Sequence, residues 1–106
     1  MIVVTTETIP GKRVVKVFGL VRGNTVRCRN IGNDITAFMK VITGGEVREY
    51  TKLMAECREQ ALDRMREEAA RLGANAVVGT LFMTSEIMEH AAEILVYGTA
   101  VLVEDD

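Results

Sequence analysis

From Tyr50 to Leu72 the apolar residues recur at helical spacing. Tyr50, Leu53, Met54, Cys57, Ala61, Met65, Ala69 and Leu72 trace one stripe, and charged residues cover the opposite side. Lys52–Glu56 and Glu67–Arg71 are opposite charges four residues apart, and Gly73 supplies a stop. A helix of this length in a chain of 106 residues must bury its stripe against something. Strand-like segments precede and follow it, so a single domain over 1–106 is expected, one sheet with helices on one side.

The strands read as follows. Residues 2–6 are rich in β-branched side chains. Pro10-Gly11 marks a turn. Arg13 to Arg27 is valine-rich and reads either as one long strand or as a hairpin centred on Gly23-Asn24, with Gly19 and Gly23 marking bulges or close backbone approaches. Ile35, Phe38, Met39 and Ile42 give one face of a short helix that follows Asn33-Asp34 and ends at Gly44-Gly45. Asn75 to Met83 reads as a buried strand. Ser85 to Glu93 fits a helix turn or a hairpin, and the strong strands on both sides favour the hairpin.

Ile94 to Val103 is the most informative strand. Leu95, Tyr97, Thr99, Val101 and Val103 fall on one face; Ile94, Val96, Gly98, Ala100 and Leu102 fall on the other. Both faces are apolar or small. One helix layer covers one face, so the other is expected to meet a second subunit.

Composition narrows the function. Thirteen basic and fifteen acidic residues give a net charge of −2, which argues against nucleic acid as a partner. The longest uncharged run, Leu72 to Ser85, is too short for a membrane helix, and the first residues do not read as a secretory signal, so the expected location is the cytoplasm. There Cys28 and Cys57 are expected as reduced thiols. Six basic residues (Lys12, Arg13, Lys16, Arg22, Arg27, Arg29) precede Asp34 with no acid after Glu7. Six acids follow Arg71 with no base. This asymmetry describes two solvated faces, a pairing of N-terminal with C-terminal strands within or between subunits, or an anion site on the basic segment.

No complete catalytic motif is present: one histidine, no nucleophile motif and no cofactor fingerprint argue against an enzyme. Cys57 lies on the helix stripe and reads as core. Cys28 sits between Arg27 and Arg29, which favour its thiolate, and His90 has Glu86, Glu89 and Glu93 nearby. Cys28 and His90 are therefore the candidate metal ligands, and symmetry is the one way a single histidine becomes several ligands. Met39, Met54 and Met65 read as core filler. Gly44-Gly45 lacks the ending of a P-loop.

Gly44-Gly45, Tyr50, Arg58, Gly73-Ala74-Asn75-Ala76-Val77-Val78-Gly79 and Gly98-Thr99-Ala100-Val101, with Thr5-Thr6 and Gly19-Leu20-Val21-Arg22-Gly23 before them, carry a resemblance that spans the chain. The sequence resembles the YbjQ-like family, which bears a heavy-metal-binding label. The resemblance implies a dodecin-like α+β subunit, a small antiparallel sheet wrapped on one long helix plus a short helix, and a homo-oligomer, a pentameric ring, with no biochemical activity to carry over. The matching segments hold no Cys and no His, so they do not themselves form a soft-metal site. Glu46-Val47 departs from the Arg and small hydroxyl residue that relatives carry after the double glycine. The expected function is a non-enzymatic homo-oligomeric binding protein holding a heavy-metal ion or small ligand between subunits; the alternative is a structural or protein-interaction module with no small ligand.

Overall fold

A computed structural model describes residues 1–26, 47–88 and 91–106, with the backbone alone described at 47–51, 53, 86–88 and 91–92. The short helix expected over 35–42, the Gly44-Gly45 turn and the candidate ligands Cys28 and His90 lie outside the described residues.

Four strands and one helix are described. In chain order they are β1 (Ile2–Val3), β2 (Lys12–Thr25), α1 (Val47–Leu72), β3 (Ala76–Met88) and β4 (Ala91–Asp105). The sheet order is β1-β3-β4-β2. β4 is the spine and pairs antiparallel with both β2 and β3. The fold is α+β, as the resemblance implies, but the sheet is mixed rather than antiparallel throughout: β1 runs parallel to β3.

The 26-residue helix matches the stripe. Cys57, Ala61, Met65 and Ala69 join Val21, Val77, Ile94, Val96 and Ala100 in one buried cluster. The helix ends where the chain stops being able to continue it. Gly73 takes φ +94°, with Gly73 N–H donating to the Ala70 carbonyl (3.0 Å) and Ala74 N–H to the Ala69 carbonyl (3.1 Å). These two bonds satisfy carbonyls the last turn would otherwise orphan. Among the described side chains of the helix surface the ion pair formed is Arg66–Asp63 at 3.0 Å, one turn apart, rather than the two pairs suggested by spacing.

β2 is one strand and not a hairpin. Its register runs from Lys12↔Asp105 to Thr25↔Ile94, with irregularities between Val14 and Lys16 and between Val17 and Gly19. Gly23-Asn24 is therefore no turn. Gly23 is the point where the helix backbone lies against the strand, and a Cβ there would run into the Ala61 carbonyl oxygen and sit 2.5 Å from the Met65 nitrogen. Two further bonds fasten this end of β2 to the helix: Thr25 Oγ1 to the Cys57 carbonyl at 3.3 Å and Arg64 Nη1 to the Asn24 carbonyl at 2.5 Å.

The expected hairpin between the last two strands is present. β3 extends to Met88, five residues beyond the sequence estimate, before β4 starts at Ala91.

Candidate interaction face

The register separates the two faces of the sheet. Val21, Val77, Ile94, Val96 and Ala100 face the helix. Ala76, Val78, Val101 and Val103 face the other way and form a second cluster, over which Ile2, Val4 and Ile9 fold. The N-terminal segment is held there by backbone bonds: Val4 N–H to the Val77 carbonyl (2.9 Å), Gly79 N–H to the Thr6 carbonyl (2.9 Å) and Thr80 N–H to the Val4 carbonyl (3.1 Å). The two-sided apolar character of the last strand thus has a partial answer within the subunit. Val101 and Val103 are covered by the chain's own first residues.

The cover stops there. Further along the same face lie Val14, Val17, Leu20, Leu81 and Met83, all between 44% and 64% exposed. Tyr97, Leu95 and Thr99 lie among them, partly buried. β3 adds a second uncovered side. Phe82 alternates onto the helix side of the sheet, pairing with buried Val96, yet it is 45% exposed. The cause is the helix position: α1 packs mainly on β2, less on β4 and barely on β3. Leu81, Phe82 and Met83 therefore expose apolar side chains on both sides of a strand that, beyond Thr80, pairs among the described residues with β4 alone. Such a surface is unusual in a stable monomer.

The basic segment is answered inside the chain at its start. Lys12 Nζ lies 2.6 Å from Asp105 Oδ1 and Arg13 Nη2 lies 3.3 Å from Glu104 Oε2, each across a β2–β4 pair. Asn24 Nδ2 donates to Glu93 Oε2 at 3.0 Å. The Lys12 hydrogen bond, then its charge, hold the Asp105 carboxyl below its ordinary value of 3.8. A lowered folded value means this pair stabilises at pH above the unfolded value and fades as pH falls through the folded one. We expect the 12/105 strand end to loosen on acidification below about pH 4, and Asp105→Asn to remove that response. NMR titration of the β4 terminal amides checks it; an identical acid response in the variant would show another group is responsible. Asp105 is solvent-exposed and Lys12 partly so, and global stability should barely change.

The candidate metal chemistry finds little support in what is described. Among the described residues no three His, Cys, Asp or Glu side chains are placed to share an ion. Cys57 is buried at 7% exposure, as its place in the stripe implies, but it is disulfide-bonded rather than the reduced thiol that sequence reasoning expects. A sulfur held in a disulfide offers no thiolate to a metal. The described donor set therefore does not fit a heavy-metal ion within one subunit. The methionines divide as their spacing suggests: Met65 is fully buried, Met54 packs on the core, and Met83 is 52% exposed. A shallow recess along α1, lined by Lys52, Ala55, Glu56, Glu59, Gln60 and Asp63, is a solvated charged surface.

Sequence comparison decides the kinship. A family model described as "Putative heavy-metal-binding" (YbjQ) matches residues 1–104. The chain belongs to the YbjQ family. A UPF0145 protein from Clostridium perfringens is 51% identical over 105 residues, covering 99% of each chain. A UPF0145 protein from Thermococcus kodakarensis is 56% identical over 106 residues, covering all of this chain and 94% of its own. One from Halorubrum lacusprofundi is 57% identical over 96 residues, covering 91% and 92%. A crystal structure of a protein of unknown function from the DUF74 family of Pediococcus pentosaceus superposes with a TM-score of 0.57 at 15% identity, covering 98% of both chains, and supports the fold. The YbjQ label fits the α+β subunit; none of these names states an enzymatic activity. No described helix is long and apolar enough to cross a membrane.

Proposed function

We propose that this YbjQ-family chain is a non-enzymatic homo-oligomeric binding protein, a pentameric ring, whose ligand is held between subunits. The observation that carries the reading is the uncovered apolar face and edge around Leu81, Phe82, Met83 and Tyr97. The subunit's proportions support it. Its Cα radius of gyration is 17.1 Å and its extents are 54 × 23 × 17 Å, whereas a compact domain of this length has a radius near 13 Å. Its accessible surface is 7080 Å², against about 5900 Å² for a compact monomer of its mass.

Because the described donors do not make a metal site inside one subunit, we propose His90 of neighbouring copies as the ligand for a heavy-metal ion, joined by Cys28 only when the chain's two cysteines are reduced. The test is native mass spectrometry on reduced, chelator-stripped protein, with and without zinc, cadmium, nickel and copper(I). A ring taking up a fixed number of ions per subunit, lost in His90→Ala, is expected. A ring that takes up none would leave the interaction-module reading in its place. A monomer would refute the homo-oligomeric reading.

Tyr97→Asp places a carboxylate in the middle of the apolar face. We expect the solution mass to fall to the subunit mass of 11.7 kDa with the subunit fold retained. An unchanged mass would mean this face does not meet a partner.

A further inference from the structure

We infer that the chain carries a reversible thiol–disulfide switch, Cys57 on the long helix with Cys28 three residues after β2 ends, opened and closed by low-molecular-weight thiols. The chain has two cysteines and neither is free. Cys57 is disulfide-bonded, so its partner is Cys28. The described residues put the two within reach. Thr25, the last residue of β2, donates from Oγ1 to the Cys57 carbonyl at 3.3 Å. Cys28 follows Thr25 by three residues, a span of at most about 11 Å. A disulfide needs its two Cα atoms about 4–7 Å apart, which this span allows. The switch depends on neither the metal reading nor the homo-oligomeric one, and its test uses neither.

A switch needs two folded states, and the packing around Cys57 provides both. Cys57 shares its cluster with Val21, Ala61, Met65 and Ile94. A reduced cysteine suits such a cluster as a small apolar side chain. The end of β2 is also fastened to the helix without the sulfur bond. Thr25 is bonded to the Cys57 carbonyl, Arg64 Nη1 to the Asn24 carbonyl, and the helix backbone lies against Gly23. Reduction therefore removes one fastening among several and leaves the others in place.

The two sulfurs differ in chemistry, and that sets the order of events. Cys57 is 7% exposed, so an incoming thiolate attacks the Cys28 sulfur. The new S–S bond joins the small thiol to Cys28, the protein S–S bond breaks, and the Cys57 sulfur leaves and takes up a proton. A second small thiolate then attacks the sulfur of the first. The small-molecule disulfide departs and Cys28 is released as a thiolate. Arg27 and Arg29 flank it and favour that anion, which makes Cys28 the better leaving group and stabilises the reduced state. The balance is two thiols oxidised to one disulfide and one protein disulfide reduced to two cysteines. Of the two protons shed by the small thiols, one goes to Cys57 and one to solvent. The reverse steps, with a small-molecule disulfide as oxidant, close the switch.

Equilibration of the whole chain in graded mixtures of reduced and oxidised glutathione tests this. Acid quenching, maleimide tagging in denaturant and mass spectrometry then count the free thiols. We expect conversion from none to two within the range of these mixtures, where a structural disulfide stays closed. A chain that keeps both thiols in oxidised glutathione alone, or keeps its disulfide in the most reducing mixture, would overturn the switch. The reduced protein should retain the far-UV circular dichroism of the oxidised one and melt about 10 °C lower. Loss of the helix signal on reduction would make the bond a structural staple and overturn the switch as well. Replacing both arginines, Arg27→Gln with Arg29→Gln, should raise the reduced glutathione needed at the midpoint by about threefold or more. An unmoved midpoint would overturn the part assigned to them. Single-cysteine variants check the order of attack. Cys57→Ala should take up one glutathione per chain, and Cys28→Ala far less. Equal uptake by the two would overturn that order.

Discussion

Gly23→Ala is expected to cost about 3 kcal/mol or more, enough to leave much of the protein unfolded under mild denaturant. The reason is what the new methyl group meets. A Cβ at this position would overlap the Ala61 carbonyl oxygen, lie 2.5 Å from the Met65 backbone nitrogen and 3.0 Å from Arg64 Cβ. Two of these three atoms belong to the helix backbone, which no side-chain rotation can clear. The helix must lift away from β2, and it cannot lift locally. Met65 and Ala61 on either side of the contact are fully buried, and Thr25 and Asn24 are hydrogen-bonded to the same stretch of helix. Urea unfolding followed by far-UV circular dichroism checks the expectation. A midpoint corresponding to a loss under 1 kcal/mol would show that α1 and β2 are not in backbone contact at this point.

This contact also shows where sequence reasoning stopped. The period of 3.6 from Tyr50 to Leu72 defines the helix because the signal is local and repeated, and Cys57, Ala61, Met65 and Ala69 are buried as the stripe requires. The alternation in 94–103 identifies a strand with two occupied faces, and both faces are indeed used. Gly23-Asn24 misleads because a glycine needed for a hairpin and a glycine needed for close packing look alike in one sequence. Only the long-range pairing of Val21 with Gly98 and Thr25 with Ile94 separates them. The parallel β1–β3 contact was illegible for the same reason: it joins Ile2 to Ala76 across most of the chain, and no local pattern encodes it. The sequence does contain the cover for Val101 and Val103, as Ile2, Val4 and Ile9, but nothing in their spacing says which face they fold over. The charge asymmetry left three readings open, and the Lys12–Asp105 and Arg13–Glu104 pairs favour strand pairing within the subunit. The uncovered half of the interaction face was legible as an apolar strand surface, while the free edge at Leu81, Phe82 and Met83 was not. An edge is defined by what fails to pair, which the sequence of one strand does not record.

Asn75 is the second position where one side chain should carry a large share of stability. It follows the Gly73 helix stop and precedes β3, at a point where β1, β3 and β4 converge. Its side chain acts as an added rung of the sheet: Nδ2 donates to the Val103 carbonyl at 2.9 Å and Oδ1 accepts from the Val103 amide at 2.8 Å. Its backbone amide meanwhile donates to the Val101 carbonyl at 3.1 Å, and its carbonyl accepts from the Ile2 amide at 3.3 Å. Val103 is 6% exposed, but Asn75 reaches it from the exposed side, so water can partly replace what Asn75 provides. Truncation to alanine removes two hydrogen bonds to the Val103 backbone. At about 0.5–1.5 kcal/mol net for each, Asn75→Ala should lose about 1–3 kcal/mol. Asn75→Asp distinguishes this account from a simple loss of bulk. It keeps the shape and the acceptor for the Val103 amide, but at neutral pH it turns a carboxylate oxygen toward the Val103 carbonyl, where a donor stood. It should therefore be no better than alanine despite its near-identical size. Thermal unfolding of the two variants side by side decides the point. An Asp variant as stable as wild type would mean that the Nδ2 bond contributes nothing, and that the segment between helix and sheet is held by the backbone bonds of Asn75 alone.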